Sequence, residues 1–223
     1  MAYAEAVIVV VGTPAWDPGP PPAPAGRAAA VALAAAGSGA RVELMGRIGD
    51  DPAGDALLLA LGRAGVGHVA VLRDPARPTS QLSSAALDDD APIGSSVLDA
   101  AEPSVGEADD SGPRLEREDV VLGLGYLNAF DVLVVTDDAP AGVIPACVEA
   151  AAYAGARLVV AVRSERGVPD GLPEDATVLV APDGDGESFA RLLGRYAAAL
   201  DGGAAPAAAF ADSAGDGWEH PSA

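Results

Sequence analysis

Strand-length apolar runs alternate with longer amphipathic runs along most of this chain. Residues 3–12, YAEAVIVVVG, hold an unbroken apolar stretch that predicts a strand buried on both faces. Residues 27–37, RAAAVALAAAG, predict an Ala-rich helix stopped by glycine. RVELMG predicts a strand, PAGDALLLALGRAG a helix opened by Pro52 and capped by Asp50 or Asp51, and VGHVAVLRD a further strand. After a gap the alternation resumes. NAFDVLVVTDD reads as a strand, GVIPACVEAAAYAGA as a helix, and RLVVAVRS and ATVLVAP as strands. GESFARLLGRYAAALDGG reads as a long amphipathic helix, and APAAAFADSAG as a short last helix. Strands and helices in turn imply an α/β domain of three layers, α/β/α, with a mainly parallel sheet.

Two segments break the pattern. TPAWDPGPPPAPAG is too rich in proline for a helix or a central strand, so it predicts a connector running over the strand ends. Residues 76–118 are polar, acidic and rich in turn residues, with room for two short polar strands between 78 and 97. They predict a peripheral lid or mobile acidic segment. The expected organisation is one domain over 1–215 and a flexible tail over 216–223.

Charge narrows the functional classes. The chain has 33 acidic and 13 basic residues, a net charge of −20, and every basic residue is arginine. Lysine chemistry is excluded, and phosphate contacts would fall to arginine, backbone amides or a metal. So negative a chain is expected to bind neither nucleic acid nor an anionic membrane, though a local arginine pocket could still take a small anion. Cys147 is the single cysteine, which excludes an intrachain disulfide, and its helical setting predicts an inert buried thiol. No signal-peptide pattern precedes the first strand, which points to a cytoplasmic location.

Candidate chemistry collects after the strands. Asp17 could accept hydrogen bonds from substrate hydroxyls or simply form an Asp–Pro turn. Gly46, Gly49, Asp50 and Asp51 suit a strand-to-helix turn, and Arg47 beside them could reach an anionic group or lie on the surface. Asp137 and Asp138 could hold Mg²⁺ if the chain turns there, or cap the helix after Pro140. APDGDGESF, 181–189, could gather backbone N–H groups at a helix N-terminus. Its carboxylates, Asp185 and Glu187, oppose a bare phosphate and suit a metal or general-base role. His68, His220, Trp16 and Trp218 lack partners at useful spacing.

Several of these segments resemble the ribokinase-like, or PfkB, family of carbohydrate and nucleoside kinases. The stretch VALAAAGSGARVELMGRIGDDPAGDALLLALGRAGVGHVAVLRDP, 31–75, is similar to that family's helix, strand, G-x-x-G-x-D turn and helix ending in a Gly-Val pair. VIVVVGTPAWD resembles its first strand, and Pro78–Thr79 the entry to its substrate lid. PAGVIPACVEAAAYAGARLVVAVRS resembles a later helix–strand unit, and GDGESFARLLGRYAAALDGGAAPAAAFADSAG its C-terminal motif. The resemblance implies a ribokinase-like fold with a reduced lid. It implies that Asp17, Gly26 and Arg47 belong to the substrate site, that Gly184, Asp185 and Gly186 form the anion-binding turn, and that Glu187 is the general base. ATP and Mg²⁺ would be the cofactors of an active member, and lid strands would form a homodimer.

The chain departs from the family in four ways. Glu187 stands where the family has Asp, which would shift the carboxylate by roughly 1 Å, an error that can cost about 10²-fold. Asp185 adds a charge to the anion hole. Ala25–Gly26–Arg27–Ala28–Ala29–Ala30 lacks one glycine and the asparagine expected before the first helix. The chain is also shorter than usual members, and TVLVAPDGDGESFARLLG aligns as well with the family's Asn-Glu segment near magnesium as with the Gly-rich turn. The expectation is a degenerate relative with weak or lost phosphotransfer that retains small-molecule or protein binding. The other reading is an active ATP-dependent kinase of a sugar or nucleoside hydroxyl, with Glu187 as base.

Overall fold

A computed structural model describes residues 7–82, 112–127, 129–182 and 186–214. Its centre is β1 (Ile8–Val11), whose four aliphatic residues are all inaccessible to solvent. One side of β1 pairs in parallel with β4 (Val42–Gly49), and β4 with β5 (Val66–Asp74). The other side pairs in parallel with β6 (Val132–Val135), followed outward by β7 (Arg157–Arg163) and β8 (Thr177–Ala181). The sheet order is therefore β5-β4-β1-β6-β7-β8.

The alternation of side chains along β1 sorts them into two cores. Ile8 and Val10 pack beneath α1 (Arg27–Gly37), α2 (Pro52–Arg63), α5 (Gly186–Asp201) and α6 (Pro206–Ala214). Val9 and Val11 face α3 (Arg117–Tyr126) and α4 (Ile144–Ala154). This is the expected three-layer α/β/α arrangement. Alanine on α1 and a glycine on α5 let those helices approach closely: a Cβ on Gly194 would crowd Ala34 and the carbonyl of Val31.

Helix α2 starts where Pro52 and Asp51 predict. The Asp51 carboxylate accepts the Gly54 N–H at 2.8 Å, the Thr79 N–H at 2.8 Å and the Thr79 hydroxyl at 2.6 Å. Burial pushes Asp51 up, but these bonds outweigh it and hold the carboxyl below its ordinary value. Thr79 and Ser80 are buried by the same lock.

Two segments carry structure that the sequence pattern does not announce. The Pro-rich connector folds into an antiparallel hairpin of β2 (Ala15–Asp17) and β3 (Ala23–Ala25), with Pro24 opposite Trp16. Residues 80–82 run beside Trp16, which donates its N–H to Ser80 and accepts from Leu82. In the acidic stretch, 76–82 and 112–118 are described. Leu115 is buried, and α3 carries Val120 and Leu124 into the second core. Of the polar strands expected between 78 and 97, the part from 83 onward lies outside the described residues, as does the tail from 215.

Candidate functional site

Chain order places the first half of the sheet on one side of β1 and the second half on the other. The order switches between β1 and β6, where α/β proteins form a crevice beyond the strands' carboxyl ends. Gly12 and Thr13 follow β1 there, and Thr136, Asp137 and Asp138 follow β6.

The paired aspartates turn apart. Asp138 reaches back under α1, accepting the Ala28 N–H at 3.3 Å and the Thr13 N–H at 3.4 Å. The N-cap of α1 is Gly26, which has no side chain to offer, so Asp138 caps that helix from another strand. Capping of the helix after Pro140 by either aspartate is thus corrected: that helix starts without a side-chain cap. Gly12 leaves the needed space, since a Cβ there would collide with Thr136 Oγ1 and Asp138 Oδ1.

Thr136 Oγ1 lies 3.0 Å from the Val11 carbonyl and 2.5 Å from Asp138 Oδ1. One hydroxyl hydrogen cannot serve both acceptors. A proton on Asp138 resolves the conflict, donated to Thr136 Oγ1 while Thr136 donates to Val11. Burial above all, with the neighbouring Asp137 charge adding to it, raises the Asp138 carboxyl above its ordinary value of 3.8. The folded chain therefore binds more protons than the unfolded chain as pH rises past that value, and this group's contribution to stability falls with pH. Asp138→Asn should gain stability over wild type from acid toward neutral pH, measured by urea unfolding at several pH values. A difference that does not change with pH would refute protonation at this site.

Asp137 turns outward into a cluster of arginines. Its Oδ1 pairs with Arg27 Nε at 2.8 Å and its Oδ2 with Arg163 Nε at 3.3 Å, and its side chain is 2% exposed. Its carbonyl accepts from Arg166 Nη1 at 3.4 Å. Arg27, the first residue of α1, also donates Nη1 to the Gly186 carbonyl and lies with Cζ 5.3 Å from the centroid of Phe189. One guanidinium thus joins the starts of α1 and α5 to the end of β6.

Of the residues the resemblance assigns to the site, Gly26 and Gly186 lie at this cluster, while Asp17, Arg47 and Glu187 bond elsewhere. Gly26 is close by, at φ +82, and a Cβ on it would meet the Thr13 carbonyl at 2.8 Å. Gly186 contributes its carbonyl, while Gly184 and Asp185 lie outside the described residues. Glu187 is 82% exposed and faces Arg191 at 3.9 Å along the helix. Asp17 accepts the Gly19 N–H at 2.8 Å in a local turn on the hairpin. Arg47 pairs with Asp119 at 3.3 Å and bonds the Arg114 carbonyl, tying β4 to the start of α3. No hydrogen bond or ion pair among the described residues joins Asp17, Arg47 or Glu187 to the Asp137 cluster.

Asp137 and Asp138 are committed to different partners, so the possibility that the pair shares one Mg²⁺ gains no support from their geometry. Among the described residues no group of three His, Cys, Asp or Glu could hold a metal. Cys147 is buried, and burial pushes its thiol up to about 12, which disfavours the nucleophilic thiolate. No helix among these residues is long and apolar enough to cross a membrane. Sequence reasoning passed over Arg27, Arg163, Arg166 and Phe189 as site residues. The available signal was an arginine closing the apolar strand RLVVAVR, with a second arginine three residues later.

Residues 22–87 match the model of the pfkB family carbohydrate kinases. No curated protein matches the chain. Among solved structures it is similar to the PfkB protein of Polaromonas sp. JS666, with 19% identity, TM-score 0.63, and 93% of this chain and 92% of that one covered. It is also similar to a protein called Sa239, at 13% identity, TM-score 0.65 and coverage of 98% and 96%. Arabidopsis thaliana ribokinase complexed with ribose and ATP aligns at 16% identity, TM-score 0.57 and coverage of 95% and 91%. The fold is ribokinase-like, and the segment from β3 to just beyond residue 82 carries the pfkB pattern.

Proposed function

We propose that this chain is a ribokinase-like relative in which phosphotransfer to a sugar or nucleoside is weak or lost, and which keeps a small-molecule binding role at the β1–β6 crevice. The observation carrying this reading is Arg27. It belongs to the segment Ala25–Ala30, which lacks one glycine and the asparagine that the family resemblance calls for, and its guanidinium spans the crevice from Asp137 to the Gly186 carbonyl. The guanidinium occupies the Gly186 carbonyl and the Asp137 carboxylate, acceptors that a substrate hydroxyl would otherwise use.

Two further features support it. Glu187 lies on the outer face of α5, so a base there would have to reach back into the crevice. Strand β8 pairs directly with β7, with no strand between. That arrangement favours reading 177–194 as the remnant of the Asn-Glu segment, in which case Glu187 is not in the base position. Among the described residues no cluster of carboxylates gathers as a Mg²⁺ site would require.

A coupled ADP-release assay with ATP and Mg²⁺ over a sugar and nucleoside panel tests the proposal. The expected result is no turnover above background for the wild type, Glu187→Asp and Glu187→Ala. Robust wild-type turnover that disappears in Glu187→Ala would establish the competing reading, an active kinase with Glu187 as base, which the pfkB match at 22–87 favours.

A further inference from the structure

We infer that Arg27, Arg163 and Arg166 form a receptor for a small oxyanion of the phosphate or phosphomonoester class. This deepens the proposed binding role and rests on it. Three of the chain's 13 arginines meet at one aspartate, although acidic residues outnumber basic ones 33 to 13. Asp137 is a fixed template rather than a surface acid: both carboxylate oxygens and its carbonyl hold a guanidinium each.

The same bonds organise donors for a ligand. A guanidinium has five N–H groups. Arg27 commits Nε and Nη1, and Arg166 commits Nη1, leaving Nη2 of each without a bond to a described residue. Arg27 is held against Phe189, so little rotamer freedom remains to be lost on binding. Arg166 is exposed beyond β7 and gives the cluster an open side. Planar N–H forks match the oxygens of phosphate and carboxylate groups.

Isothermal titration with inorganic phosphate, and separately with glycerol 3-phosphate, at constant ionic strength tests the inference. Saturable binding is expected, weakened about tenfold or more in Arg166→Ala and unchanged in Arg63→Ala, an exposed arginine at the far end of α2. Tighter binding of glycerol 3-phosphate identifies an ester ligand, and equal binding identifies free phosphate. No saturable binding up to about 10 mM, or equal losses in both variants, would overturn the inference. The outcome is separable from the ADP-release assay. Turnover with arginine-dependent binding would overturn the loss of catalysis and keep this receptor, whereas no turnover and no binding would do the reverse.

Discussion

Replacing Asp137 by alanine should lower the unfolding free energy by about 3 kcal/mol or more, because it removes the buried carboxylate that both Arg27 and Arg163 pair with. The magnitude follows from asymmetry. Forming a buried pair gains little over apolar packing, but deleting one partner leaves the other charge without compensation. Asp137 is nearly inaccessible, whereas Arg27 and Arg163 are 13% and 34% exposed, so part of the cost is relieved as they turn to water. Asp137→Asn, which keeps the shape and a carbonyl acceptor, should cost less. Urea unfolding monitored by far-UV circular dichroism gives both values. A loss below about 1 kcal/mol for Asp137→Ala would mean the cluster behaves as a surface ion pair.

Phe189→Ala should be comparably severe, at about 3–5 kcal/mol. The ring is 2% exposed on the inner face of α5 and belongs to the core shared with α1 and the sheet. Its other face supports the Arg27 guanidinium, so truncation opens a cavity and loosens the same cluster. The two sites should therefore couple. A double-mutant cycle of Phe189→Ala with Asp137→Ala should depart from additivity by more than about 0.5 kcal/mol. Thermal or urea unfolding of the four proteins measures this, and strict additivity would show that Phe189 acts through packing alone.

Local patterns made most of the fold legible. The glycine stop of α1, the Pro52 start of α2 and the apolar runs of β1, β6 and β7 each announce their element within a few residues. Helix α3 escaped because REDVVLGLGY has apolar residues on several sides and two glycines. Gly123 is there for packing: a Cβ on it would press into Met45 of β4. The hairpin escaped because proline argues against strands in general yet is tolerated in a two-stranded pair.

The site was legible in its acids and illegible in its bases. Asp137 and Asp138 stand out at the end of an apolar strand. Arg27, Arg163 and Arg166 look like ordinary solvated arginines, and what gathers them is long-range. Arg27 is 110 residues from Asp137 and 159 from Gly186. Asp17, Arg47 and Glu187 were attractive by neighbourhood in sequence, but each finds its partner in a local turn, an adjacent strand and helix, or the next turn of its own helix.

The central position of β1 also governs the order in which the molecule can be completed. Its first edge is matched to β4 and can close as soon as Val42–Met45 have been made. Its second edge has to wait for Val132–Val135. Until then a nascent chain presents IVVV, with no charge and no proline, as a bare template for any other strand. The long acidic stretch between the halves is synthesised during this interval. That stretch is acidic, and net charge of one sign makes copies of a chain repel one another while the β1 edge is still open.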